Sequence, residues 1–291
     1  MGGVIAQLAS LAAPCLVFPP DFPLVPDAVR QKYAQGQMEA AQVRGALRVS
    51  VGDALALVEP APFDSQCLGM SMVKVSWFCA ESRDQEKLAQ AVLAKVKSSG
   101  FDHVMIRTDA GNLAFMQALE RNGFYLADTS TKLLCAAGSF VSCPLPAGCS
   151  VDKYRPGDLP QIQEISADIF RRSRFYADPS FPKARVDELH RLWVRNDCEG
   201  RADLVLVCRR EEKVLGYIAC LFTEARDEFG LPSEADIDLV AVSPQAQGQG
   251  IGKALVGVAL QHYRERATRI TVGTQGSNYP ALALYAQCGF R

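Results

Sequence analysis

The order of strand and helix signals over the 291 residues predicts an α/β fold, and three observations carry that prediction. An apolar run, Leu239 to Val242, stops at Ser243-Pro244, and a glycine-rich loop then opens directly into a helical pattern. A strand followed by an asparagine-started, glycine-stopped helix occurs twice, at a constant offset of 166 residues. From residue 150 onward the signals run strand, two helices, three strands, helix, strand, helix.

Taken in chain order, Val4 to Phe18 is apolar but too short to span a bilayer. No Lys or Arg precedes it and Ala13-Pro14-Cys15 is a poor cleavage site, so it reads as a packed or frayed extension. Asp27 to Leu47 has rough helical periodicity, and residues 1–48 are expected to be an N-terminal extension. Residues 49–137 form a first module. Within it Phe101–Thr108 reads as a strand, Asn112 to Gly123 as a capped helix and Tyr125–Cys135 as a closing strand. Residues 138–149, rich in Ser, Pro, Gly and Cys, read as a linker.

The second module spans 150–291. Ser150–Tyr154 starts it, Asp158 is expected to cap a helix through Phe170, and a second helix runs from about Lys183 to Asp197. Strands follow at Leu204–Cys208, Val214–Phe222 and Asp236–Val242, and Ile251, Ala254, Leu255, Val258 and Ala259 mark the next helix. Arg269–Thr274 is a short buried strand. Asn278 then starts a helix with Pro280 in its first turn and Gly289 at its stop.

Composition narrows the function. A hydrophobic fraction of 48%, a charged fraction of 22% and net charge −1 are those of a soluble globular chain without a nucleic-acid-binding stripe. None of the ten cysteines forms C-x-x-C, which suits reduced thiols and a cytoplasmic location, and three scattered histidines argue against a metal. No membrane partner is expected, and a homodimer is left open.

The loop Gln247-Gly248-Gln249-Gly250-Ile251-Gly252-Lys253 lies at a helix N-terminus, where unpaired N–H groups and the helix dipole attract an anion and glycines admit it to the backbone. It fails the P-loop pattern, because Lys253 stands where the second glycine is required. It also lacks the G-x-G-x-x-G spacing of a dinucleotide site. It fits [QR]-x-x-G-x-[GA] after a strand ending Val240-Ala241-Val242, and so resembles the acetyl-CoA loop of the GCN5-related N-acetyltransferases (GNAT). Asn278 to Phe290 resembles the N-x-x-A-x-x-x-Y-x-x-x-G-F helix of the same superfamily.

That resemblance implies a mixed central sheet flanked by helices, preceded by a degenerate GNAT-like half module, and acetyl-CoA as co-substrate without a metal. It implies that Val240–Val242 and the loop hold the cofactor, with Asn278 against the pantetheine arm and Tyr285 at the sulfur. The first copy has Leu119 where Tyr285 stands and no glycine loop, so a structural or acceptor-side role is expected of it. The superfamily normally closes with a strand hairpin, whereas this sequence ends one residue after Gly289-Phe290, so either the sequence is a fragment or another element fills that place.

Phe63-Asp-Ser-Gln-Cys-Leu-Gly69 and Ser173-Arg174-Phe175 resemble segments of the TDP-fucosamine acetyltransferase-like branch. The first departs from its motif, with Phe63 for Trp and Cys67-Leu68 for an aromatic pair. The branch implies acetylation of the 4-amino group of a dTDP-linked amino-deoxy sugar, with Arg174 and Phe175, and nearby Arg171 or Arg172, contacting the acceptor. Asp128 is the expected base, with Asp236 and Asp238 as alternatives. Acetylation of another amine (a protein N-terminus, an amino acid or a drug) and a non-catalytic acetyl-CoA-binding module are the competing readings.

Overall fold

The computed structural model describes residues 27–80, 83–136, 144–225 and 231–291, so the apolar Val4–Phe18 stretch lies outside the described residues. The chain falls into two compact units that divide between Leu126 and Ala127.

The first unit holds α1 (Asp27–Val43), β1 (Leu47–Val51), β2 (Ala54–Pro60), α2 (Pro62–Leu68), β3 (Met72–Cys79), α3 (Gln85–Ser98), β4 (His103–Ile106) and α4 (Leu113–Arg121). Its sheet has the order β1-β2-β3-β4, antiparallel except for the parallel pair β3–β4. Leu88 and Val92 of α3 and Phe115 and Leu119 of α4 bury against Ala56, Val58 and Val73. Helical spacing thus meets strand alternation on one face of the sheet. Asn112 caps α4, its Oδ1 accepting from the Phe115 N–H at 3.2 Å.

The second unit holds β5 (Ser130–Ala136), β6 (Ser150–Lys153), α5 (Leu159–Ile169), α6 (Arg174–Ala177), α7 (Lys183–Asn196), β7 (Leu204–Arg210), β8 (Lys213–Thr223), β9 (Glu234–Val242), α8 (Ile251–Tyr263), β10 (Arg269–Gln275) and α9 (Tyr279–Gln287). Its sheet order is β5-β10-β9-β8-β7-β6. Helices α8 and α9 bury one face through Ile251, Leu255, Ala259 and Tyr285. Helices α5 and α7 bury the other through Ile162 and Val194 against Val207, Tyr217 and Leu239.

The internal repeat is more extensive than the half module expected from the sequence. Strands β1–β4 with α3 and α4 follow the same order and orientation as β7–β10 with α8 and α9, including a parallel last pair. The division of the chain also falls ahead of the 138–149 linker. Strand β5, read as the closing strand of the first module, pairs antiparallel with β10 from Ser130↔Gln275 to Ala136↔Arg269. Leu134 and Arg291 exchange both backbone hydrogen bonds, at 2.8 and 3.0 Å, so β5 is paired on each edge. This strand lies beside β10 with its alternate residues Leu133 and Cys135 packed into the core of the second unit.

Asp158 does not cap α5 as its sequence position suggests. Its Oδ2 accepts from the Arg155 N–H at 2.8 Å and from Arg209 Nη2 at 2.6 Å, a buried pair that Asp152 completes at 3.2 Å. The buried guanidinium competes for the carboxylate more strongly than neutral helix amides do.

Candidate acyl-transfer site

Strands β9 and β10 pair in parallel only from Glu234↔Arg269 to Ile237↔Val272. Beyond that point β9 runs on to Val242 and β10 to Gln275 without pairing to each other. A bulge helps to part them, because β8 pairs Ala219 with Leu239 and Cys220 with Ile237, leaving Asp238 as the extra residue. The bulge also switches faces: Ala235 and Ile237 pack toward α8, whereas Leu239 and Ala241 pack toward α5 and α7. Val240, Ala241 and Val242 therefore pair with Ile218, Tyr217 and Gly216 of β8 on one edge and carry no strand on the edge facing β10.

The glycine loop follows at once. Ser243 N–H donates to Leu215 O at 2.8 Å, and Gln247 Nε2 donates to Val242 O at 3.2 Å, tying the loop to the strand end. Gly248 and Gly250 have φ of 76° and 83°, and a Cβ at either would point into open space. Both conformations favour glycine. The first helical hydrogen bond of α8 is Ala254 N–H to Gly250 O at 3.0 Å, so the amides of Ile251, Gly252 and Lys253 precede it, with no side-chain cap. Buried Ile251 anchors this turn, Gly252 and Lys253 are half-buried, and Gln249 is exposed. The arrangement can seat a diphosphate.

Asn278 opens α9, but its side chain does not cap it. Its Nδ2 donates to Thr274 Oγ1 and its Oδ1 accepts from Arg172 Nη1, each at 3.3 Å. Tyr285 is buried at 4% exposure, its ring 5.7 Å from that of Phe290. Burial, reinforced by Cys288, raises its phenol pKa and keeps the proton on the oxygen. Arg174 lies 4.2 Å over the Phe175 ring. Phe175 itself is 1% exposed and packs beside Phe181 and His190, so it holds the loop in place and offers no open face to an acceptor. Burial lowers the His190 pKa to about 4, and its Nδ1 lies 2.9 Å from Val186 O.

The three candidate carboxylates have different surroundings. Asp128 is half-buried just ahead of β5, where Thr129 O accepts from Gly276 N–H at 2.7 Å, two residues before Asn278. Asp236 accepts from Thr271 Oγ1 and lies 3.9 Å from Lys132 Nζ. Burial raises its pKa, partly offset by Thr271 and Lys132. Asp238 is held by Trp193 Nε1 at 2.7 Å and Arg201 Nη1 at 2.6 Å. Sequence reasoning missed the partner of this last group. Asp197, in the π-turn Asp197–Arg201 after α7, also accepts from Arg201, and burial with the nearby Asp238 charge raises its pKa to about 7. No local pattern announces the pair, which forms only when α7 docks on the bulge. Among the described residues no cluster could hold a metal ion, and no helix is long and apolar enough to cross a membrane.

A parted parallel strand pair beside an anion-receptive helix start suits a ligand that carries a diphosphate. Residues 161–290 match the family model described as the Acetyltransferase (GNAT) family. Residues 161–290 thus carry a GNAT-type domain, and this match together with the acetyltransferase-named relatives supports an N-acetyltransferase. It is 26% identical over 264 residues to the spore coat polysaccharide biosynthesis protein SpsD of Bacillus subtilis (strain 168), covering 90% of this chain and 85% of that protein. It is 28% identical over 157 residues to the mycothiol acetyltransferase of Salinispora arenicola (strain CNS-205), covering 50% of this chain and 46% of that protein. A tandem GNAT protein from the clavulanic acid biosynthesis pathway shares the fold at a TM-score of 0.57 and 14% identity, over 99% of this chain and 89% of that one.

Proposed function

We propose that this protein transfers an acetyl group from acetyl-CoA to the amine of a nucleotide-linked amino-deoxy sugar, the 4-amino group of a dTDP-linked 4,6-dideoxy sugar being the preferred acceptor. The observation that carries the reading is the parting of β9 and β10 directly beside the glycine loop. The sugar acceptor rests on the likeness to SpsD over 90% of the chain, and on two cations, Arg172 and Arg174, in the segment after α5.

Acetyl-CoA supplies an activated thioester. The amides of Gly248–Lys253 hold its diphosphate, and Asn278 turns from Arg172 and Thr274 to the pantetheine arm. The unpaired edge of Val240–Val242 directs backbone N–H groups at the developing oxyanion. Tyr285, protonated at neutral pH, donates its proton to the departing thiolate. Asp128 removes a proton from the attacking amine through water.

Two measurements test this. Calorimetry with acetyl-CoA and thiol release with dTDP-4-amino-4,6-dideoxygalactose are expected to show binding and turnover. Tyr285→Phe should lower kcat about a hundredfold and leave acetyl-CoA affinity unchanged. Turnover only with other amines would replace the acceptor, and unchanged kcat in the variant would remove the tyrosine from the reaction.

A further inference from the structure

Strand β9 has a bare edge over Val240–Val242 although a partner lies within reach. Its parallel pairing with β10 stops at Ile237↔Val272, yet β10 continues for three residues to Gln275. The first unit contains the same bulge at the matching place in the repeat. There β2 pairs Val58 with Val75 and Leu57 with Trp77, so Ser76 is the extra residue, directly after the last parallel pair Val75↔Ile106. Strand β4 ends at Ile106 and offers β3 nothing further to pair with. Ser76 Oγ donates to Leu57 O at 3.4 Å, a bond within the same sheet. In the second unit both strands run on past the bulge, and their separation has to be held.

The hold comes from one side of Asp238. Trp193 and Asp197 stand four residues apart at the end of α7, a spacing that puts side chains on one helix face. Trp193 Nε1 donates to Asp238 Oδ2 at 2.7 Å. The π-turn Asp197–Arg201 carries Arg201 back to the strand, where Nη1 donates to Asp238 Oδ2 at 2.6 Å and Nη2 to Oδ1 at 3.4 Å. The same Nη1 donates to Asp197, so the guanidinium is fixed to its own turn as well as to β9. Hydrogen bonds to an ionised carboxylate are about twice as strong as neutral ones. Leu239 and Ala241 pack toward α5 and α7, which requires a bulge but does not set how far it swings β9 from β10. The bonds to Asp238 set that distance, because they draw the extra residue to the α7 side.

We infer that Trp193 and Arg201 are positioning residues for acyl transfer: by gripping Asp238 they hold β9 away from β10 and keep the Val240–Val242 edge open. The inference rests on the acetyltransferase reading for its effect on rate, and on strand geometry alone for the opening. The two side chains act through Asp238 and the backbone that follows it. Asp238 is a handle in the bulge, its carboxylate turned to the helix side and its charge already met by Arg201. Losing the grip lets β9 settle against β10, with Asp238 opposite Gly273 and Leu239 opposite Thr274 in the register that their existing pairs dictate.

Three variants of the full-length protein test this. Trp193→Phe keeps an aromatic ring and removes the N–H. In hydrogen–deuterium exchange without ligand, its peptide bearing Val240–Val242 should take up deuterium at least about threefold more slowly than in wild type, as the open edge pairs with β10. Uptake at the wild-type rate or faster would overturn the inference. In thiol release with dTDP-4-amino-4,6-dideoxygalactose its kcat should fall about tenfold, the scale of one hydrogen bond to a charged group, with the acceptor KM unchanged. An unchanged kcat would remove Trp193 from the positioning role. Asp238→Ala, which has no group to grip, should reproduce the slowed exchange and the lowered kcat. Asp238→Asn still accepts from Trp193 and should lie between Asp238→Ala and wild type in both measurements. Equal losses in the two Asp238 variants would mean that the charge and not the grip matters, and would overturn the inference. If wild-type protein transfers no acetyl group while exchange still responds to Trp193 and Asp238, the acetyltransferase reading fails and the grip on the strand stands.

Discussion

Replacing Asp197 by asparagine should give a variant whose stability advantage over wild type grows with pH. Asp197 is 1% exposed, shares Arg201 with Asp238, and has a pKa raised to about 7 from an ordinary 3.8. A carboxyl group whose pKa is higher in the fold than in the unfolded chain holds its proton more tightly when folded. Between pH 3.8 and about 7 the unfolded chain therefore binds fewer protons at this position, and stability falls as pH rises through that window. Below it the position costs nothing, and above it the cost is complete.

At ~1.36 kcal/mol per pH unit the whole effect is ~4 kcal/mol, of which ~2–3 kcal/mol falls between pH 5 and pH 8. Asparagine does not titrate and keeps the shape. Its advantage should thus widen by ~2–3 kcal/mol over that interval, or about 5–10 °C in melting temperature for a unit of this size. Thermal unfolding of both proteins, followed by circular dichroism at several pH values from 5 to 8, measures the difference. A gap between the two melting temperatures that stays constant with pH would refute the claim that burial and Asp238 hold the Asp197 proton.

Other substitutions probe the rest of the framework. Gly250→Val places a β-branched residue at a φ of 83°, costing ~1–2 kcal/mol locally, and should weaken acetyl-CoA binding about tenfold by calorimetry; equal affinity would detach the loop from the diphosphate. Leu134→Pro removes the N–H that reaches Arg291 O at 2.8 Å and should cost ~1–3 kcal/mol in urea unfolding of the second unit, whereas no loss would mean β5 is dispensable there. Arg209→Met leaves the Asp158 carboxylate, 13% exposed as a side chain, without its cation and should cost ~3–5 kcal/mol; a loss below ~1 kcal/mol would show that water replaces the pair.

The elements that local chemistry specifies were legible in the sequence. The glycine loop and α8 were visible because a strand run, positive-φ residues and helical periodicity adjoin one another within a few positions. The internal repeat was visible because Asn112 and Gly123 match Asn278 and Gly289 in spacing, and cap and stop residues act through nearby backbone. Asn278 shows the limit of that reasoning. Asn112 caps its helix as expected, while Asn278 turns to Arg172, 106 residues away in sequence.

Strand β5 shows a second limit, because alternation predicts a strand and a buried face but not which of two similar sheets will receive its edge. Residue order alone specified a repeated strand–helix architecture, an anion-receptive helix start and a tyrosine at a fixed distance from an asparagine. Folding in three dimensions set where β9 parts from β10, which carboxylates become paired, and that a strand from ahead of the linker completes the second sheet. Those outcomes depend on long-range edge pairing, a single bulge and burial, and none of the three leaves a signature within a few residues.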